Sequence, residues 1–257
     1  MTQPVPASPR SLEGRSVVVT GASRGLGRAM ARALAAEGAG VAVTGRDLDA
    51  LAETVRLIET DGGQVRPYAL DVTDAEAVEA AAGRIWADLG GVDVVIANAG
   101  ISLTKPAVET ETAEFARIID TNVNGTFSTV RSFGSRMLEQ GHGKVITIAS
   151  DIGIRGSAGW VAYASSKGAV ITMTKSLAWE WAPAVTVNSI APGAFATDIN
   201  SHLLGVDEIL AAIEQETPLG RVGRADEIGP LSVFLAGPGS DFMTGQIVSL
   251  DGGIQRS

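Results

Sequence analysis

The amino-acid sequence predicts an α/β protein built on a doubly wound parallel sheet of about seven strands, with helices on both faces. Three observations lead there. Short apolar runs alternate with longer segments of helical periodicity. The apolar runs are mostly continuous rather than alternating, as strands covered on both sheet faces require. No Pro/Ser-rich linker and no internal repeat divides the chain, so residues 11–257 read as one domain, preceded by a flexible tail over residues 1–10.

Taken in order, residues 16–20 (SVVVT) form the first strand, and residues 25–37 an Ala/Leu/Arg-rich helix stopping near Gly38. Residues 41–44 form the second strand, followed by a helix over 47–60 with Asp47 as its N-cap. Residues 65–70 are the third strand. Thr73, Asp74, Ala75 and Glu76 read as a capping box opening the next helix. Residues 92–97 are the fourth strand and 112–138 a long helical region. Residues 144–149 are the fifth strand, 160–182 a long helix and 185–190 the sixth strand. A variable segment and a helix lead to the last strand at 246–250.

Composition narrows the function. Of 257 residues, 45% are hydrophobic and 19% charged, enough for a substantial core. A net charge of −9 argues against a nucleic-acid partner. The chain has no Cys and only two His, His142 and His202, far apart in sequence, so no disulfide, thiolate or metal site is expected. Neither a signal-peptide core nor a membrane-length apolar run occurs, which predicts a cytoplasmic protein without a membrane partner.

Two constellations carry chemistry. Gly21, Gly25 and Gly27 lie between the first strand and first helix in TGASRGLG, with Ser23, Arg24 and Leu26 among them. Glycines there permit a tight turn and close approach of a pyrophosphate to the helix N-terminus. Tyr163 and Lys167 are four residues apart and share a helix face. A neighbouring ammonium is expected to lower the phenol's pKa towards the range of a general acid/base. Ser150, at the end of the fifth strand, is placed to polarise a carbonyl. Taken singly, each has an ordinary reading: a glycine turn, a surface Tyr–Lys pair, a strand-end serine. Jointly, and in this order, they predict hydride transfer at a carbonyl group.

Cofactor choice is read at the end of the second strand. An acidic residue there would bond the ribose 2′-hydroxyl of NAD. Gly45 occupies that position, followed by Arg46, with Arg24 in the glycine loop. Two guanidiniums suit a 2′-phosphate, which predicts NADP(H) over NAD(H). Asp47 argues the other way, since it is able to pair with Arg46 or approach the ribose.

The ordered motifs TGASRGLG (20–27), ANAG (97–100), NVNG (122–125), Ser150, YASSK (163–167) and APGAFAT (191–197) resemble the short-chain dehydrogenase/reductase family over residues 12–253. Ala97 replaces an asparagine of the family's pattern. The resemblance implies a single Rossmann-type catalytic domain and a ketone/secondary-alcohol oxidoreductase acting on a small molecule. It makes Tyr163 the acid/base and gives Lys167 the nicotinamide ribose. Ser150 would orient the substrate oxygen, and Asn122 would hold a water that relays protons from Lys167. Asp71, with Val72 beside it, would contact the adenine, although Asp71 has the alternative of capping a helix. Asn98, Ala99 and Gly100 would border the cofactor, and Pro192, Gly193, Phe195 and Thr197 would hold its nicotinamide end. Helix pairing across two-fold axes would give a homotetramer.

The chain is similar both to sugar-acid 5-dehydrogenases of the gluconate type and to 3-oxoacyl-acyl-carrier-protein reductases, without a choice between them. An NAD-preferring sugar-acid or polyol dehydrogenase, an epimerase or dehydratase, and a non-catalytic dinucleotide-binding scaffold are the alternatives. Ile101, Ile152, Trp160 and Phe195 are candidate pocket residues. The segment 200–218 resembles a substrate lid; its stripe of Leu203, Leu204, Ile209, Leu210 and Ile213 either covers substrate or packs in the core.

Overall fold

A computed structural model describes residues 11–197 and 205–255; the predicted tail and the lid residues Leu203 and Leu204 lie outside them. The first half runs β1 (Ser16–Thr20), α1 (Gly25–Ala36), β2 (Gly40–Gly45), α2 (Leu48–Thr60), β3 (Gln64–Ala69), α3 (Ala75–Leu89) and β4 (Val94–Ala97). Then come α4 (Thr112–Ile119), α5 (Gly125–Gln140), β5 (Gly143–Ile148), α6 (Asp151–Arg155), α7 (Val161–Trp181) and β6 (Val185–Pro192). The chain closes with β7 (Phe195–Ala196), α8 (Asp207–Glu216), β8 (Gly223–Arg224), α9 (Gly229–Ala236) and β9 (Ile247–Leu250).

The main sheet has seven strands in the order β3-β2-β1-β4-β5-β6-β9, every pair parallel. The continuous valines of β1 follow from burial on both faces. Val17 and Val19 join a core with Met30 and Leu34 of α1, Leu51 of α2 and Leu235 of α9. Val18 points to the opposite face, among Ile85 of α3, Phe133 and Met137 of α5 and Trp181 of α7. All three valines are fully buried, and each such side chain contributes about 1.5–3 kcal/mol over its exposed state. Gly134, inside α5, is a weak helix former by about 1 kcal/mol. A Cβ there would overlap Trp181 Cη2 and stand 2.6 Å from Cζ3, so the glycine lets the indole of α7 seat against α5.

Asp47 caps α2 as predicted, Oδ1 accepting from the N–H groups of Asp49 (2.8 Å) and Ala50 (3.4 Å). The capping box at Thr73 does not form. Asp74 is the N-cap of α3 and accepts from Ala77 N at 2.9 Å. The Thr73 hydroxyl instead donates to Asp71 Oδ1 at 2.8 Å, so the cap passes to the next residue, a stronger acceptor. The long helical region is interrupted by a π-turn at Asp120–Asn124, between α4 and α5. The short α6 directly after Ser150 and the two-stranded β7–β8 pair are further elements that the sequence pattern leaves unassigned. No helix among the described residues is long and apolar enough to cross a membrane.

Candidate active site

The chain leaves β1 towards β2 and β3 on one side and returns through β4 towards β5 and β6 on the other. A crevice opens at the carboxyl ends of strands where the direction reverses. Here it is a cavity of about 880 Å³. Its wall contains Gly21, Ser23, Arg24, Gly25, Leu26, Gly27, Arg46, Asp71, Val72, Asn98, Ala99 and Gly100 from the β1–β4 side. From the β5–β6 side come Ser150, Tyr163, Lys167, Pro192, Gly193, Phe195 and Thr197. Ile101, Ile152 and Trp160 line it too. Asn122 stands behind the wall, fully buried.

The glycine loop is shaped for an anion. Gly21 and Gly25 have φ of +65° and +55°, where other residues are strained. A Cβ on Gly27 would overlap the Gly21 carbonyl oxygen and stand 2.6 Å from Asn98 Nδ2. The first turn of α1 contains no acidic residue and its N-cap, Arg24, makes no side-chain cap bond, so the amide groups and the helix dipole meet the cavity. Arg28 holds the loop from below: Nη2 donates to Ser23 O, and Nε to Thr54 Oγ1 at 3.0 Å. Thr54 Oγ1 in turn donates to Ala22 O at 2.8 Å. Asn98 Nδ2 donates to Thr20 O (2.8 Å) and Gly21 O (3.1 Å), tying β4 to the loop.

At the far end of the cradle, Asp71 accepts from Thr73 N at 3.0 Å and from the Thr73 hydroxyl; it shapes a turn rather than capping the helix. Those bonds, led by the backbone one and reinforced by the Arg46 charge, hold its carboxyl below the usual range. At the other end, the buried Thr197 hydroxyl has no partner among the described residues. A buried hydroxyl left so costs about 1–3 kcal/mol, which a polar ligand group would recover. Cradle, dipole and orphaned hydroxyl together fit a dinucleotide.

Ser150 Oγ caps α6, accepting from Ile152 N at 3.3 Å and lying 3.1 Å from Asp151 Oδ1, to which it donates. Lys167 Nζ donates to Ile148 O at 2.7 Å and lies 5.7 Å from the centroid of the Tyr163 ring. Asn122 sits in the π-turn and grips Ile101 twice, Nδ2 donating to its carbonyl and Oδ1 accepting from its amide, each at 2.9 Å. Asn122 Nδ2 also donates to Ser166 Oγ at 3.0 Å, and Ser166 Oγ to Tyr163 O at 2.7 Å. The π-turn is thus bonded directly to the helix that carries Tyr163 and Lys167.

The electrostatics reverse one expectation. Burial pushes the Tyr163 phenol up to about 12; a hydrogen bond with Ser150 opposes this, and the Asp151 charge adds to it. Burial also brings the Lys167 ammonium down to about 8. The sequence reading has Lys167 lowering the phenol's pKa, but here desolvation outweighs every attraction and the ammonium spends a donor on the Ile148 carbonyl. The lid segment also resolves: α8 buries none of its residues, so its described part does not pack in the core, and Ile213 and Glu216 line the cavity.

Several wall residues escaped the sequence reading, among them the ion pair of Asp151 and Arg155. Asp151 is buried and Arg155, a turn later, pairs with it, Nε to Oδ2 at 3.0 Å. Their i,i+4 spacing was the one available signal.

The family model described as enoyl-(acyl carrier protein) reductase matches residues 21–255. Gluconate 5-dehydrogenase of Gluconobacter oxydans (strain 621H) is 35% identical over 248 residues, 96% of this chain and 97% of that protein. The 3-oxoacyl-(acyl-carrier-protein) reductase of Escherichia coli (strain K12) is 36% identical over 248 residues, 95% of this chain and 98% of that one. Among solved structures, a gluconate 5-dehydrogenase from Burkholderia cenocepacia J2315 in complex with NADP and tartrate superposes with a TM-score of 0.92 at 32% identity, covering 96% of this chain and 97% of its own.

Proposed function

The chain belongs to the short-chain dehydrogenase/reductase family, and we propose that it is an NADP(H)-dependent oxidoreductase interconverting a ketone and a secondary alcohol, with Tyr163 as general acid/base. One observation carries the reading: a single cavity is walled by the glycine cradle at the N-terminus of α1 and by the buried Ser150 and Lys167 with the half-buried Tyr163. When bound, the nicotinamide dinucleotide supplies or accepts the hydride.

Gly21, Gly25 and Gly27 would hold the cofactor's pyrophosphate, Asp71 and Val72 its adenine end, and Thr197 its nicotinamide end. NADP(H) is favoured because Asp47 is committed to capping α2, which removes the main argument for a ribose-reading acid. Arg46 lines the cavity at that end.

Tyr163, protonated at neutral pH because its pKa is raised to about 12, is ready to donate to a substrate oxygen in reduction. Ser150 aligns that oxygen. Lys167 meets the ribose and supplies the charge that the phenolate needs once the proton has left. Asn122, whose side chain is fixed by Ile101 and Ser166, would hold a water that relays protons from Lys167. NADPH consumption with a panel of sugar-acid ketones and 3-oxoacyl thioesters tests the proposal. Tight NADPH binding without turnover of any ketone would favour the scaffold alternative.

A cytoplasmic homotetramer is part of the proposal. Phe127 of α5 and Trp179 of α7 are 47% and 89% exposed, large apolar groups on helices of one sheet face. A partner's helices would cover them. Light scattering at micromolar concentration is expected to give a tetramer; a monomer would refute it.

A further inference from the structure

We infer that Arg155 is a specificity-determining residue that selects substrates carrying a carboxylate on the same molecule as the reacting carbonyl or alcohol. This rests on the oxidoreductase reading above and deepens it.

Arg155 ends α6, the short helix that Ser150 caps, and it lines the same cavity as Ser150 and Tyr163. Its side chain is 34% exposed, whereas that of its partner Asp151 is 5% exposed. Asp151 makes two bonds at once: Oδ1 accepts from the Ser150 hydroxyl at 3.1 Å, and Oδ2 accepts from Arg155 Nε at 3.0 Å. A partly buried ion pair adds little net stability once desolvation is counted. It does fix a guanidinium in one plane. Because the bond to Asp151 uses Nε, the terminal fork of Nη1 and Nη2, which bonds no other group among the described residues, is left to meet a planar anion, and a carboxylate matches that fork with two parallel bonds. Asp151 therefore ties the anchor for one end of the substrate to the serine that meets the other. Apolar Ile152 and Trp160 share the wall and exclude water, which strengthens a charge-assisted bond. Glu216 of α8 faces the same space and offers an acceptor for hydroxyl groups between the two ends.

A series of oxo-acids with the ketone at successive positions, each paired with its methyl ester, tests this with NADPH as reductant. The carbonyl is the same within a pair and only the charge differs. The wild-type enzyme is expected to prefer the acid at one spacing. In Arg155→Ala the acid-to-ester ratio of kcat/KM at that spacing should fall about tenfold or more, the size of one lost charge-assisted bond, mainly through KM for the acid. Arg155→Lys, which keeps the charge but not the fork, should fall between the two, and it carries the test if the alanine variant does not fold. A preference for the ester at every spacing, or a ratio unchanged in both variants, would overturn the inference while leaving the oxidoreductase reading intact. Turnover of neither member of any pair would overturn both.

Discussion

Replacing Lys167 by methionine should abolish turnover yet stabilise the cofactor-free protein at neutral pH. Lys167 is buried, and burial alone lowers its pKa from 10.5 to about 8. That displacement corresponds to about 3 kcal/mol of unfavourable free energy while the ammonium is charged. Methionine fills a similar volume without charge. Against the gain stands the buried Ile148 carbonyl, which loses its donor at 2.7 Å, a loss of about 1–3 kcal/mol. The net expectation is a gain of about 0–2 kcal/mol. Its pH dependence follows from the sign of the displacement. Below pH 8 the group is protonated in folded and unfolded chains, and the penalty is complete. Between about 8 and 10.5 the folded protein sheds the proton first, the unfolded chain binds more protons, and wild-type stability rises from this source. Above 10.5 both states are neutral and the penalty is gone. Urea denaturation of both proteins at about pH 7 and about pH 10 reads the difference directly. A variant less stable than wild type at pH 7, or an advantage that grows with pH, would refute the reasoning.

Two other substitutions probe the cradle. Gly27→Ala forces a Cβ into the Gly21 carbonyl; it should cost about 1–3 kcal/mol of stability and most of the NADPH affinity, and unchanged melting and titration curves would contradict the assigned geometry. Arg46→Ala should weaken NADPH about tenfold or more while NADH changes little, the loss of one charge-assisted phosphate contact; equal losses for both cofactors in fluorescence titration would show that Arg46 does not read the 2′-phosphate.

The parts legible in the sequence are those in which one residue type answers to one local requirement. A short β-branched run of Val-Val-Val stopped by a glycine turn suits a strand buried on both faces, and β1 has the predicted bounds. The glycine loop, Ser150, Tyr163 and Lys167 meet at one cavity because the parallel topology brings every strand's carboxyl end to one edge. Where two neighbours compete for one role, the pattern does not decide. Thr73 and Asp74 both suit an N-cap, and the choice turns on the bond between Thr73 and Asp71. Desolvation is a property of packing: nothing in Tyr-x-x-x-Lys spacing states how much water the pair loses, so the direction of the Tyr163 displacement was beyond it. The same limit hid Asp151 and Arg155. An aspartate and an arginine four apart are usually solvated helix charges, and only the fold shows that Asp151 is 3% exposed beside Ser150. The π-turn that carries Asn122 is tied by side-chain bonds to Ile101 and Ser166, partners distant in sequence.

The most direct test of the central claim is turnover by Tyr163→Phe. The substitution removes one hydroxyl from a half-buried ring that also packs against Trp160, with centroids 5.6 Å apart, so the fold and the cradle should persist. With the ketone that the wild-type enzyme reduces best, kcat should fall by at least about 10²–10⁴-fold, while NADPH binding measured by titration stays close to wild type. Turnover near the wild-type rate, with binding intact, would contradict the assignment of Tyr163 as the group that moves the proton.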